Sequence, residues 1–267
     1  MAASEPSGRR SPAGLFYREQ GSGTNVVLCV HGFCQSSFYW APSLAHLAAA
    51  GVRAVAPDLP GFGASAAMSG PYTMEGYADV LAQLLDHLEV ERVTLVGGSM
   101  GGVVAQHLAL RHGERLVRLL LVATGAAPGN SAAALAKADA LASEVPWTDQ
   151  TVQGIVNGFF FRAPTDQVLK ELQAIVRAAS PQAAAQALRS NALSNTLDSL
   201  GRVGVPTWIV QGRHDPSRTP ERGAVIRDSI HGAQLLVMEG SGHTPQLEEP
   251  DGFHAAVLPF LLRQVRP

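Results

Sequence analysis

Three side chains, Ser99, Asp215 and His243, combine residue type and surroundings in a way that could do chemistry. Ser99 lies in Val93-Thr-Leu-Val-Gly-Gly-Ser-Met-Gly-Gly102, where a β-forming run meets a glycine-flanked serine. A helical pattern starts at once, with Val103, Val104, His107, Leu108 and Leu110. The Gly-x-Ser-x-Gly spacing at Gly97, Ser99 and Gly101 is that of a nucleophile elbow. There the chain reverses from strand to helix within a residue or two. The reversal strains the serine backbone and requires glycine where the two backbones pass. The Oγ then stands exposed above the sheet. Small residues of this kind also close ordinary βα turns, but the strand before and the helix after favour the elbow.

A serine hydroxyl is a poor nucleophile until a base takes its proton, and the base needs a third group to orient it. His243 sits in Glu239-Gly-Ser-Gly-His-Thr-Pro245 and Asp215 in Gly212-Arg-His-Asp-Pro216, each just past an expected strand, as Ser99 is. Other histidines compete for the role of base. His46, His87, His107, His112 and His254 fall in or at the ends of helical patterns, as surface or packing residues. His231 follows a helix, and His214 shares a loop with Asp215 and is poorly placed to be oriented by it. For the acid, Asp198 lies in the insertion without strands and Glu239 precedes the histidine loop, so Asp215 is favoured.

Acyl transfer also needs donors aimed at the oxyanion that develops on the carbonyl. One is expected from the backbone N–H of Met100, at the start of a helix where the dipole helps. The other is expected from Phe33, in the loop His31-Gly-Phe-Cys-Gln35, with His31 bracing the loop by hydrogen bonding and Gly32 permitting its turn. The side chains of Phe33 and Met100 are expected to add apolar walls beside the oxyanion.

These loops must be carried by a sheet. Short apolar runs alternate with helical patterns, the rhythm of a mostly parallel sheet with helices on both faces. Strands are expected at Leu15–Glu19 (an edge strand), Val26–Val30, Val52–Ala56, the elbow strand, Leu116–Ala123, Pro206–Val210 and Gln234–Met238. Helices are expected around Pro42–Ala50, after a Thr73 cap with Val80, Leu81, Leu84, Leu85 and Leu88 at helical spacing, and over Phe253–Val265. From 124 to 204 no strand pattern occurs. That stretch holds helical patterns at Ala132–Ala142, Val168–Ala179 and Ala183–Leu193, and the cluster Phe159-Phe160-Phe161. A helical insertion between two strands reads as a cap over the strand ends, where doubly wound folds bind ligands. The domain reading is a lead-in without structure over 1–13, a core over 14–123 and 205–267, and a cap over 124–204.

Length and composition agree with one such domain: 267 residues, of which 46% are hydrophobic, suffice for a sizeable core. A net charge of −2 provides no basic stripe, so nucleic acid is not an expected partner. No apolar run is long enough to span a bilayer, so no membrane partner is expected. Arg9 and Arg10 lack the apolar segment that an export signal requires. Two cysteines, Cys29 and Cys34, are too few for a disulfide framework or a zinc site. The expected setting is cytoplasmic, and the residues assign no oligomeric state.

The chain resembles the α/β-hydrolase fold superfamily from Gly14 to its end. The resemblance rests on His31-Gly32-Phe33, Asp58-Leu-Pro-Gly-Phe-Gly-Ala-Ser65, the Gly97–Gly102 elbow, Gly212–Asp215 and Gly242-His243-Thr244-Pro245. The order Ser99, Asp215, His243 is also that of the superfamily. Within it the chain is most similar to the small bacterial branch of enol-lactonases, carboxylesterases and cofactor-free haloperoxidase-like perhydrolases. The resemblance implies about eight strands and a four-helix cap after strand 6. It also implies a structural turn at Asp58, and no cofactor or metal. Serine at position 99 argues against haloalkane dehalogenases and epoxide hydrolases, which carry aspartate there. The expected partner is a small-molecule ester or lactone, largely apolar, with Trp147, Phe159 and Phe160 as substrate-contact candidates. Two other functions stay open: carbon–carbon hydrolysis or a biosynthetic cyclase or lyase reaction by the same triad, and ligand binding without catalysis.

Overall fold

The structure, a computed structural model, describes residues 7–262. Its sheet has eight strands: β1 (Ser7–Arg10), β2 (Phe16–Gln20), β3 (Val26–Val30), β4 (Arg53–Pro57), β5 (Val93–Gly98), β6 (Leu116–Val122), β7 (Thr207–Gly212) and β8 (Gln234–Met238). Their spatial order is β1-β2-β4-β3-β5-β6-β7-β8. β1 and β2 run antiparallel to their neighbours, and the rest pair in parallel.

β3 shows why the central strands read as continuous apolar runs. Val26, Leu28 and Val30 point to one face of the sheet, where they pack with Leu95, Leu119, Leu121 and Ile209. Val27 and Cys29 point to the other, with Val96, Leu120, Val122 and Val210. Helices bury both faces, so no position needs to be polar. The first face is covered by α2 (Met74–His87), α3 (Met100–Arg111) and α8 (Pro220–Ser229). The second is covered by α1 (Ala41–Ala49) and α10 (Pro250–Leu261), with the short α9 (Pro245–Glu248) leading into α10. As expected, Thr73 caps α2, its Oγ1 accepting from the Gly76 N–H at 3.0 Å.

Between β6 and β7 lie four helices, α4 (Ser131–Ser143), α5 (Asp149–Asn157), α6 (Asp166–Ala178) and α7 (Pro181–Leu193). Thr165 caps α6, and Leu172 and Val176 bury its apolar stripe. α5 has no counterpart in the helical pattern of the sequence. Its β-branched Thr151, Val152, Ile155 and Val156 and its internal Gly154 are weak helix formers. The helix forms because Thr148 caps it and Val152, Ile155 and Val156 are buried together on one side.

Two expectations at the start of the chain need correction. The structureless lead-in over 1–13 is too long: residues 1–6 lie outside the described residues, but Ser7–Arg10 pairs with β2 in register Ser7↔Glu19 to Arg10↔Phe16. The strand expected at Leu15–Glu19 is therefore not at the edge. β1 carries no apolar pattern because backbone pairing and its arginines position it. Its arginines bind locally, Arg9 to Glu19 at 3.2 Å and Arg10 to the carbonyls of Gly14 and Ala64 at 2.8 and 2.9 Å. Charge on an outer strand also discourages pairing with other chains. The closing helix expected over Phe253–Val265 runs from Pro250 to Leu261, and positions 263–265 of that expectation lie outside the described residues.

Asp58, just after β4, is buried and structural. Its Oδ1 accepts from the Ser37 N–H at 2.6 Å and its Oδ2 from the Ala64 N–H at 2.7 Å. Asp58→Ala leaves both donors without an acceptor. It should lower unfolding stability by about 1–3 kcal/mol, the cost of the one buried donor, the Ser37 N–H; Ala64 is exposed and can turn to water. Urea denaturation of the two proteins measures the difference; an unchanged midpoint would remove Asp58 from this role.

Candidate active site

Ser99 forms the corner between β5 and α3 at φ 54°, ψ −118°, a region L-residues rarely occupy. The surroundings hold it there. Its N–H donates to the Val122 carbonyl at 2.8 Å, and its own carbonyl accepts from the Gly102 N–H at 3.0 Å and the Thr124 hydroxyl at 2.7 Å. The glycines expected from the motif are required sterically. A Cβ on Gly97 would overlap the Gly101 carbonyl oxygen, and one on Gly101 would overlap the carbonyl oxygens of Val30 and His31.

His243 and Asp215 reach this corner from the loops after β8 and β7. The Ser99 hydroxyl lies 2.8 Å from His243 Nε2, and His243 Nδ1 lies 2.5 Å from Asp215 Oδ2. The other carboxylate oxygen, Oδ1, accepts from the Ser217 N–H at 2.8 Å, the Ser217 hydroxyl at 2.9 Å and the Arg218 N–H at 2.9 Å. Burial raises the Asp215 pKa, but the hydrogen bond and charge of His243 and the Arg218 and Ser217 backbone N–H groups outweigh it. The result is a shift from 3.8 down to about 2. The carboxylate is thus ionised at neutral pH. It fixes the imidazole tautomer, with the proton on Nδ1 and the Nε2 lone pair facing the serine.

The loop after β3 runs directly beside the serine. A Cβ on Gly32 would come within 3.1 Å of the Ser99 Cβ. His31 braces this loop as expected: its Nδ1–H donates to the Gly32 carbonyl at 2.7 Å, and its Nε2 accepts from the Leu59 N–H at 2.9 Å. Burial lowers the His31 pKa, consistent with the neutral ring that this pattern needs. Met100 is the first residue of α3, so its N–H has no acceptor within the helix and lies at the positive end of the helix dipole.

Ser99, His243 and Phe33 open into a cavity of about 260 Å³. Its floor comes from the sheet loops and one wall from the inserted helices, through Lys137 of α4, Ile155 of α5 and Leu188 of α7. Phe159 lines it. The other aromatic candidates do not. Trp147 is buried among the helices, its indole N–H donating to the Leu141 carbonyl at 2.9 Å. Phe160 packs edge-on against Phe159, and Phe161 stacks on His214 at 3.9 Å. Nor does the Met100 side chain form a cavity wall; it is buried in the core. The remaining histidines do other work. His254 stacks on His46 at 3.9 Å and bonds Ser43, its pKa lowered by burial and by His46 to about 4.

Sequence reasoning missed Arg218, which lines the cavity, and Glu248. One oxygen of Glu248 accepts from the N–H groups of Gly242 and Thr244 at 3.1 and 3.0 Å, and the other from Phe161 and Arg162 at 2.9 and 3.2 Å. With the Thr244 hydroxyl on the Phe159 carbonyl at 2.8 Å, it joins the His243 loop to the segment after α5. The only sequence signal was an acid five residues after His243, where a first helical turn places it against the preceding N–H groups.

This fold and this corner define an α/β hydrolase, and the chain belongs to the alpha/beta hydrolase family, whose model matches residues 27–256. Over 75% of each chain it is 28% identical to 3-oxoadipate enol-lactonase 2 of Acinetobacter baylyi. It is also 28% identical to a 2-hydroxy-6-oxononadienedioate/2-hydroxy-6-oxononatrienedioate hydrolase of Klebsiella pneumoniae, over 91% of this chain and 89% of that one. Among solved structures it is similar to a thermophilic esterase from Thermogutta terrifontis, with TM-score 0.84 and 27% identity over 98% of both chains.

The folded-state pKa of Asp215 lies below its ordinary value, so its ionised form contributes stability above pH 3.8 that disappears as pH falls toward about 2. By linkage the contribution is about 2 kcal/mol. Asp215→Asn should therefore unfold at lower urea than the parent protein at pH 7, with the gap closing in acid. Parallel urea curves at stepped pH measure this; a gap independent of pH would overturn it.

Proposed function

We propose that this chain is a cofactor-independent serine hydrolase that cleaves a carboxylic ester or lactone of a small, largely apolar metabolite. One observation carries the reading: the continuous line from Asp215 through His243 to the Ser99 hydroxyl, at 2.5 and 2.8 Å, ending in an open cavity. Ser99 attacks the carbonyl while His243 Nε2 takes its proton. The Phe33 and Met100 N–H groups receive the oxyanion, and Asp215 stabilises the imidazolium. His243 then returns the proton to the departing alcohol, and water releases the acyl group from Ser99 by the same steps in reverse. Helices α4–α7 serve as the cap that selects the substrate, through Ile155, Phe159 and Leu188.

A second reading has its own support. The Klebsiella relative is named for an oxo-diene dicarboxylate whose name contains no ester, so a hydrolase of that compound must break a carbon–carbon bond. The same serine, base and oxyanion donors would serve such a reaction here. Turnover of a vinylogous diketone, with none of short acyl esters, would select it.

Ser99→Ala should lower kcat for a p-nitrophenyl ester by on the order of 10⁶, the loss typical of a missing serine nucleophile. A fluorophosphonate probe should label the folded protein, with the adduct mapped to the peptide holding Ser99. Near-normal turnover in the variant, or a folded protein that stays unlabelled, would overturn the catalytic reading and favour a ligand-binding role.

A further inference from the structure

A second cavity, of about 530 Å³, adjoins the first and shares Leu188, Asn191, Ser217 and Arg218 with it. Two guanidinium groups converge there. A Cβ on Gly125 would lie 3.2 Å from Arg218 Nη1 and 3.7 Å from Arg222 Nη1, and one on Gly129 would lie 2.9 Å from Arg222 Nη2. Both side chains therefore crowd one glycine-containing stretch, which has no side chains at these positions to separate them.

Among the described residues, neither guanidinium has an acceptor, and no aspartate or glutamate lines either cavity. Of the two acids near in sequence, Asp215 is occupied by His243, Ser217 and the Arg218 backbone N–H, and Glu221 lies on the surface, bonded to Thr219 and drawn to Arg213. Burial and the charge of Arg222 both disfavour the Arg218 cation, and Asp215 only partly offsets them. Lys137 adds a further positive charge at the rim of the Ser99 cavity. Like charges held together without a counter-charge are unfavourable unless an anion joins them. Arginine is also the side chain whose fork matches a carboxylate through two parallel hydrogen bonds.

We propose that Arg218 and Arg222 form a carboxylate-binding subsite next to the Ser99 cavity, so that the ester or lactone cleaved at Ser99 carries a free carboxylate at its far end. This inference rests on the hydrolase reading and specifies its substrate class. The reacting carbonyl lies at Ser99, an apolar midsection passes Leu188, and the carboxylate ends between the guanidinium groups.

The test compares methyl hydrogen adipate with dimethyl adipate, which carry a carboxylate and a neutral methyl ester respectively at the far end, with rates expressed per cleavable ester. The wild-type protein should hydrolyse the monoanion with kcat/KM about tenfold or more above the diester, the size of one hydrogen bond to a charged group. In Arg222→Gln the ratio should fall toward one, mainly through KM, and Arg222→Lys should retain part of it. Matched thermal melts would show that the variants fold.

Calorimetry on Ser99→Ala separates this proposal from the catalytic reading. Methyl hydrogen adipate should bind Ser99→Ala and lose about tenfold in affinity when Arg222→Gln is added. Arg222-dependent binding without ester turnover in the wild-type protein would retain the subsite and reject the hydrolase reading. Equal turnover of the two esters, or a preference for the monoanion unchanged in Arg222→Gln, would reject the subsite.

Discussion

The turn at Ser99 depends on three backbones meeting at one point: β5 as it ends, α3 as it begins, and the loop that leaves β3. Gly97, Gly101 and Gly32 are where they meet: at the first two a methyl group would fall on a neighbouring backbone oxygen, and at Gly32 it would press against the serine Cβ. The positive φ of Ser99 is the conformation left when the chain must reverse in that space, and its hydrogen bonds to Val122, Gly102 and Thr124 keep it from relaxing. Strain of this kind persists only where the surroundings over-determine it. The two core layers that bury β3, β5 and β6 on both faces supply that rigidity.

With the serine fixed, the parallel strand order brings its partners to it. β5, β6, β7 and β8 lie side by side and point the same way, so loops that are remote in sequence emerge on one edge of the sheet. Asp215 leaves β7, His243 leaves β8, and each needs only a short loop to reach the next. The buried carboxylate stays ionised because four donors share its two oxygens. One of these is the N–H of Arg218, whose side chain faces the cavity. A single loop therefore orients the imidazole with its carboxylate and presents a cation toward the pocket.

Much of this was legible in the residues themselves. β3 begins and ends where its apolar run does, because a strand covered on both faces leaves no ambiguity. The juxtaposition of Ser99, Asp215 and His243 followed from three loops with similar local chemistry at strand ends. What escaped the sequence lacked side-chain periodicity. β1 is held by backbone pairing, and α5 by burial that overrides weak propensity. Trp147 and Phe160 share composition with a pocket lining but belong to the interior of the helical layer. Arg218 and Arg222 acquire a shared role only when the start of α8 is set beside Gly125 and Gly129, a proximity across nearly a hundred positions that no local pattern encodes.

The Glu248 carboxylate, with one oxygen on the His243 loop and the other on the segment after α5, has a mechanical consequence. Those two stretches are fastened at a shared anchor, so that end of the helical layer cannot lift without dragging the imidazole away from its alcohol.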